Sequence, residues 1–133
     1  MSRPVSRIML ALSGLIGLYI GLSILLEPQG FFAHNGVEIS ADIGLMSEIK
    51  APAMVLLVTA LVVLFCSVKS QFATTGLLLG GLVYGSYGMG RLVSMVLDGV
   101  PPDALVIAAG IELAFAAILI FLALRSTRTE NGG

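Results

Sequence analysis

IMLALSGLIGLYIGLSILL, residues Ile8–Leu26, carries no charged side chain and only small polar interruptions at Ser13, Tyr19 and Ser23. At a rise of about 1.5 Å per residue, a run of this length crosses a hydrocarbon layer about 30 Å thick. Arg3 and Arg7 precede it and Glu27 follows it. The basic head gives it the outline of a secretory signal, but the run is too long for a typical signal core. No small-x-small cleavage pattern precedes Glu27, so the expectation is an uncleaved first span.

The rest of the chain repeats the pattern. Further apolar segments occupy roughly residues 41–68, 72–97 and 104–124, none with the period-two alternation of barrel strands. Lipid offers no partners to bare backbone, so each run is expected to be a helix. The whole chain of 133 residues is 57% hydrophobic and 11% charged, against about 25% charged in a soluble domain. Its mean hydropathy is +1.03. A water-soluble chain this short could not hide so much apolar surface. The expected fold is therefore all-α: a single integral-membrane, antiparallel four-helix bundle over residues 1–133, with lipid as its outer solvent.

Punctuation between the runs agrees. Glu27-Pro28-Gln29-Gly30 closes the first helix, and Pro28 suits the start of a short interfacial helix. Phe31 and Phe32 fit the membrane surface, and Asn35-Gly36 supplies a stop. Ser40 reads as the cap of the second span and Asp103 as the cap of the last. Lys69-Ser70-Gln71 is a tight turn, and Ser126–Gly133 is expected to fray. Arg3, Arg7, Lys69, Arg125 and Arg128 flank helix ends on one side, and Glu27, Glu38, Asp42, Asp98 and Asp103 lie on the other. The excess of basic residues places both termini on the cytoplasmic side.

A net charge of −1 excludes a nucleic-acid binder, which needs clustered basic residues. Cys66 is the single cysteine and reads as a small hydrophobe. His34 is the single histidine, so no metal site is expected, and no catalytic triad, phosphate loop or HExxH motif is present.

Four ionisable residues interrupt the apolar runs: Glu48, Lys50, Arg91 and Glu112. A charge at mid-bilayer costs about 2.5–3.5 kcal/mol on insertion scales, so each needs a partner or water. Counted from the outer ends, Glu48 falls about 12 Å below Ser40, Arg91 about 10 Å below Asp98, Glu112 about 13 Å below Asp103 and Tyr19 about 12 Å below Glu27. One residue from each helix thus reaches a common layer. Tyr84, Tyr87 and Ser94 share the face of Arg91 by helical spacing. Pro52 frees the carbonyl of Glu48, while Lys50 points elsewhere and snorkels. Two carboxylates then face one guanidinium. Such a layer serves either to bind a small amphiphilic or anionic ligand or to pin the helices in register.

Gly17-x-x-x-Gly21 and Gly81-x-x-x-Gly85 fit close helix packing, within the chain or between two copies. No cofactor is expected, although lipid or quinone would fit between such helices. The leading expectation is a non-enzymatic membrane protein or a membrane subunit of a larger assembly. The alternatives are a small dimeric transporter hinged at Pro52 and the glycines, or a redox-complex subunit contacting quinone.

Ser47-Glu48-Ile49-Lys50-Ala51 and Gly88-Met89-Gly90-Arg91-Leu92-Val93-Ser94, with Asp98-Gly99 after them, resemble a bacterial family of four-helix membrane proteins known as a domain of unknown function, DUF4345. The similarity runs from the first helix through Glu112. The family commonly has Glu-Leu-Arg where this chain has Glu48-Ile49-Lys50. The resemblance implies a bacterial inner-membrane protein with Glu48, Arg91, Asp98 and Glu112 as marker positions, and it implies no activity.

Overall fold

A computed structural model describes residues 2–132. Among them lie five α-helices and no strand: α1 (Ser2–Leu26), α2 (Pro28–His34), α3 (Ile43–Val68), α4 (Ala73–Leu97) and α5 (Asp103–Asn131). A single 3-10 turn, Ser70–Phe72, joins α3 to α4. Three helices are long and apolar enough to cross a membrane: Arg3–Leu26, Ile43–Val68 and Asp103–Thr129. This points to a membrane protein. Helix α4 is as long as α1, but glycine, tyrosine, serine and Arg91 dilute its apolar content.

Helix boundaries depart from the expected spans mostly at polar ends. Asp42, not Ser40, caps α3; its Oδ1 accepts from the Leu45 amide at 2.8 Å. Pro102 occupies the cap of α5, and Asp103 sits in the first turn without a capping bond. Helix α5 also runs on to Asn131, so the stretch expected to fray is helical as far as that residue. Apolar content marks what lipid can cover, whereas hydrogen bonding continues wherever the next residue tolerates a helix. Helix α2 starts with proline at its first turn and ends at Asn35, whose Nδ2 donates to the Phe31 carbonyl at 2.8 Å. Gly36 follows at φ +80°, a conformation that favours glycine.

The long helices pack as two tight antiparallel pairs, α1 with α3 and α4 with α5. Gly14, Gly17 and Gly21 of α1 lie in turn against Leu64 and Ala60, Ala60 again, then Leu57 and Ala53 of α3. Gly81, Gly85 and Gly88 of α4 meet Ile120, Ala116 and Leu113 of α5. The pairs join through an inner core that includes Leu10, Val63, Cys66, Leu77, Leu119 and Ala123, with Tyr84 at its outer limit.

Helix α1 shows the logic of the packing. Its buried stripe is Ser6, Leu10, Ser13, Gly14, Gly17 and Gly21, while Ile8, Leu12, Leu15, Tyr19, Leu22 and Leu26 are exposed. Small and polar residues face inward and large apolar ones outward, the reverse of a water-soluble helix. At the basic end, Arg7 Nε donates to the Ser67 carbonyl at 2.8 Å, capping the last turn of α3 with a cation.

A Cβ built on Gly76 would lie 2.5 Å from Cys66 Cβ, whereas one on Gly90 meets nothing within 4 Å. Gly76→Ala is therefore expected to destabilise the fold by about 1–3 kcal/mol through overpacking, and Gly90→Ala to be neutral or stabilising by up to about 1 kcal/mol. Thermal unfolding of both variants in detergent checks this; equal melting temperatures would refute the packing described.

Candidate functional site

The most concentrated polar chemistry lies on one stripe of α4, at Tyr84, Tyr87, Arg91 and Ser94, with Glu112 opposite on α5. Residues spaced by three or four on a helix share a face, which aligns the four α4 side chains. The inner two bind the other helix pair. Tyr84 is buried, donates its hydroxyl to the Ser13 carbonyl at 2.7 Å, and stacks on Phe115 with ring centroids 5.6 Å apart. Tyr87, half-buried, donates to the Pro52 carbonyl at 3.2 Å.

One turn further out, Arg91 Nε donates to Glu112 Oε2 at 2.9 Å. This is the one ion pair among the described residues. The Arg91 side chain is 31% exposed and that of Glu112 14%. The contact uses one of the guanidinium's five donors, and neither Nη group bonds to protein among the described residues. Beyond it, Ser94 Oγ donates to Asp98 Oδ2 at 3.0 Å.

Two residues expected in this layer stand outside it. Tyr19 is 70% exposed on the outward stripe of α1, because depth along a helix does not set the side it faces. Glu48 is exposed, and its carboxylate forms no hydrogen bond or ion pair among the described residues. Since α3 begins at Ile43, Glu48 lies only about 8 Å below its start, shallower than the count from Ser40 gave. The Glu–Arg–Glu cluster is thus an Arg91–Glu112 pair with Glu48 apart from it. Pro52 also acts differently from expectation: its own carbonyl, rather than that of Glu48, takes the tyrosine hydroxyl.

Ser13 and Phe115 were not singled out in the sequence, although both were within reach of it. Ser13 belongs to the small-residue stripe of α1, and Phe115 is three residues from Glu112 on the same face of α5. A cavity of about 10 Å³ beside Ser13, Gly17, Thr59 and Tyr84 has room for one water at most.

The fold and site together define an all-helical protein with membrane-competent helices and, among the described residues, a single interhelical ion pair. The chain belongs to the family described as "Domain of unknown function (DUF4345)", whose model matches residues 5–123. No curated protein and no solved structure matches it.

The half-exposed Arg91–Glu112 pair is expected to show a coupling energy of about 1 kcal/mol. A double-mutant cycle of Arg91→Gln and Glu112→Gln, read by unfolding in detergent, measures it. Strictly additive effects would mean that the pair does not form in solution.

Proposed function

We propose that the chain is a non-enzymatic, four-span membrane protein of the bacterial inner membrane, and that Arg91 holds the anionic group of a small amphiphile. At about 38 Å, α4 matches the reach of its neighbours and exceeds the hydrocarbon thickness, which supports counting it as the fourth span. Its glycines keep it close against α5, so its weaker apolar character is partly shielded from lipid. The basic ends of α1 and α5 then lie in the cytoplasm, with α2 at the opposite interface.

The observation that carries the binding role is the incomplete use of Arg91. A residue serving only as a pin would be expected to engage its carboxylate through two parallel hydrogen bonds. Here Nε alone is engaged, on a side chain one-third exposed, and both Nη groups are available to a further anion. Glu112 fixes the guanidinium and lowers its cost of burial, while Tyr87 steadies α4 one turn below.

Native mass spectrometry of the purified protein with phosphatidylglycerol tests this reading. Arg91→Gln is expected to weaken retention of the anionic lipid about tenfold, while Arg3→Gln, at the far end of the bundle, leaves it unchanged. Equal retention by the wild type and the Arg91 variant would exclude the site. Topology is checked in a Cys66→Ala background: a cysteine at Thr127 should react from the cytoplasmic side and one at Asn35 from the opposite side. Labelling of both from one side would overturn the four-span arrangement.

A further inference from the structure

The two helix pairs are hydrogen-bonded to each other at Tyr84–Ser13 and Tyr87–Pro52, and they touch again in the outer loops, where Gly36 packs against Pro102. Between Tyr87–Pro52 and the loops, no hydrogen bond or ion pair joins the pairs among the described residues. Arg91 and Glu48 both fall in this interval. Arg91 is four residues outward from Tyr87 on α4, and Glu48 is four residues outward from Pro52 on α3. Each therefore stands one helical turn beyond the same hydrogen bond, Arg91 on the face of Tyr87 and Glu48 on the face of Pro52. The two residues belong to different helix pairs, and no ion pair joins them among the described residues.

Their bonding is left incomplete in complementary ways, Arg91 keeping unused donors and Glu48 an unpaired charge. Glu112 engages one donor of Arg91, so Arg91 still presents Nη donors to an anion. Glu48 has no cation: Lys50 is two residues on and points about 200° around α3, and Lys69, Arg3, Arg7, Arg125 and Arg128 lie at the other end of the bundle. Asp98, the next carboxylate on the α4 stripe, is bonded by Ser94. A monovalent anion would satisfy Arg91 and leave Glu48 bare. A simple amine would satisfy Glu48 and leave the Nη groups bare.

Resting on the anion-binding role of Arg91, we infer that the ligand is a zwitterion, with a phosphate or phosphodiester on Arg91 and a primary ammonium on Glu48. This is the chemistry of an ethanolamine phosphate, whether on a phospholipid headgroup or free in solution. The depth suits it. Arg91 lies about 10 Å and Glu48 about 8 Å below their helix ends, where the hydrocarbon boundary gives way to the polar zone and long side chains still reach it. A primary ammonium offers three donors to Glu48, whereas a quaternary one offers none, so choline analogues are disfavoured.

The experiment is native mass spectrometry of the full chain in detergent, titrated with phosphatidylethanolamine, phosphatidylglycerol and phosphatidylcholine of the same acyl composition. The wild type is expected to retain the ethanolamine lipid most strongly. Glu48→Gln, an exposed substitution that leaves folding intact, should lower its retention about tenfold while sparing phosphatidylglycerol. Arg91→Gln should weaken both. Free phosphoethanolamine separates the sources: if it displaces the lipid, the soluble zwitterion is a ligand; if it does not, the lipid headgroup is, and either result supports the assignment. Equal retention of ethanolamine and glycerol lipids, or an unchanged preference in Glu48→Gln, overturns the zwitterion but keeps the anion role of Arg91. Loss of all Arg91 dependence removes both.

Discussion

Close approach of helix backbones through small residues is the constraint on which everything else rests. Lipid tails are as apolar as leucine, so burying leucine between helices gains little in a membrane; dispersion between surfaces that fit closely must hold the helices together. Gly14, Gly17 and Gly21 let α1 lie against α3, and Gly81, Gly85 and Gly88 let α4 lie against α5. The large side chains excluded from these seams, such as Ile8, Leu12 and Leu15, become the outer surface. The same arrangement in water would expose far too much apolar area to be soluble.

Pairwise zipping also explains why the polar residues sit where they do. Each glycine seam occupies the middle turns of its pair, and the core shared by all four long helices ends at Tyr84. Toward the outer side, polar contacts take over from packing: a hydroxyl to Ser13, a hydroxyl to Pro52, then an ion pair inside the α4–α5 pair. Carbonyl acceptors suit this task because a helix carbonyl keeps a second lone pair after its own hydrogen bond. The tyrosines therefore tie the pairs together without breaking either helix. Arg91 comes one turn too late to reach α3 in the same way.

The helices and their order were legible because hydropathy reports what lipid can cover, and each apolar run contains most of one helix. Distance from the helix end was legible for Arg91 and Glu112, which are counted from α4 and α5 ends that moved by no more than a residue. It failed for Glu48 because two acceptable caps, Ser40 and Asp42, stand two residues apart, and the later one is used. Azimuth was the larger gap. Tyr19 and Arg91 have similar depths, yet Tyr19 shares a stripe with Leu12, Leu15 and Leu22, and that stripe faces outward. The glycines 14, 17 and 21 already mark the opposite face of α1, so treating the seam and the polar layer together would have placed Tyr19 outside. The bond from Arg7 to the Ser67 carbonyl had no comparable signal, since it depends on how two distant helix ends meet.

The separation of Glu48 from Arg91 alters the meaning of the charge count. Two carboxylates closed upon one guanidinium would satisfy its donors and bury the surplus charge, making a rigid pin with nothing left to offer a ligand. With Glu48 apart, the same three residues instead form an ion pair that uses one donor and a carboxylate with no partner among the described residues. Desolvating either alone is costly, because Arg91 retains unused donors and Glu48 an unpaired charge. In the proposed reading that cost falls when one molecule brings a complement to each, since its own charges leave water together. Selectivity in such a site arises from the penalty borne by molecules that match one residue and strand the other.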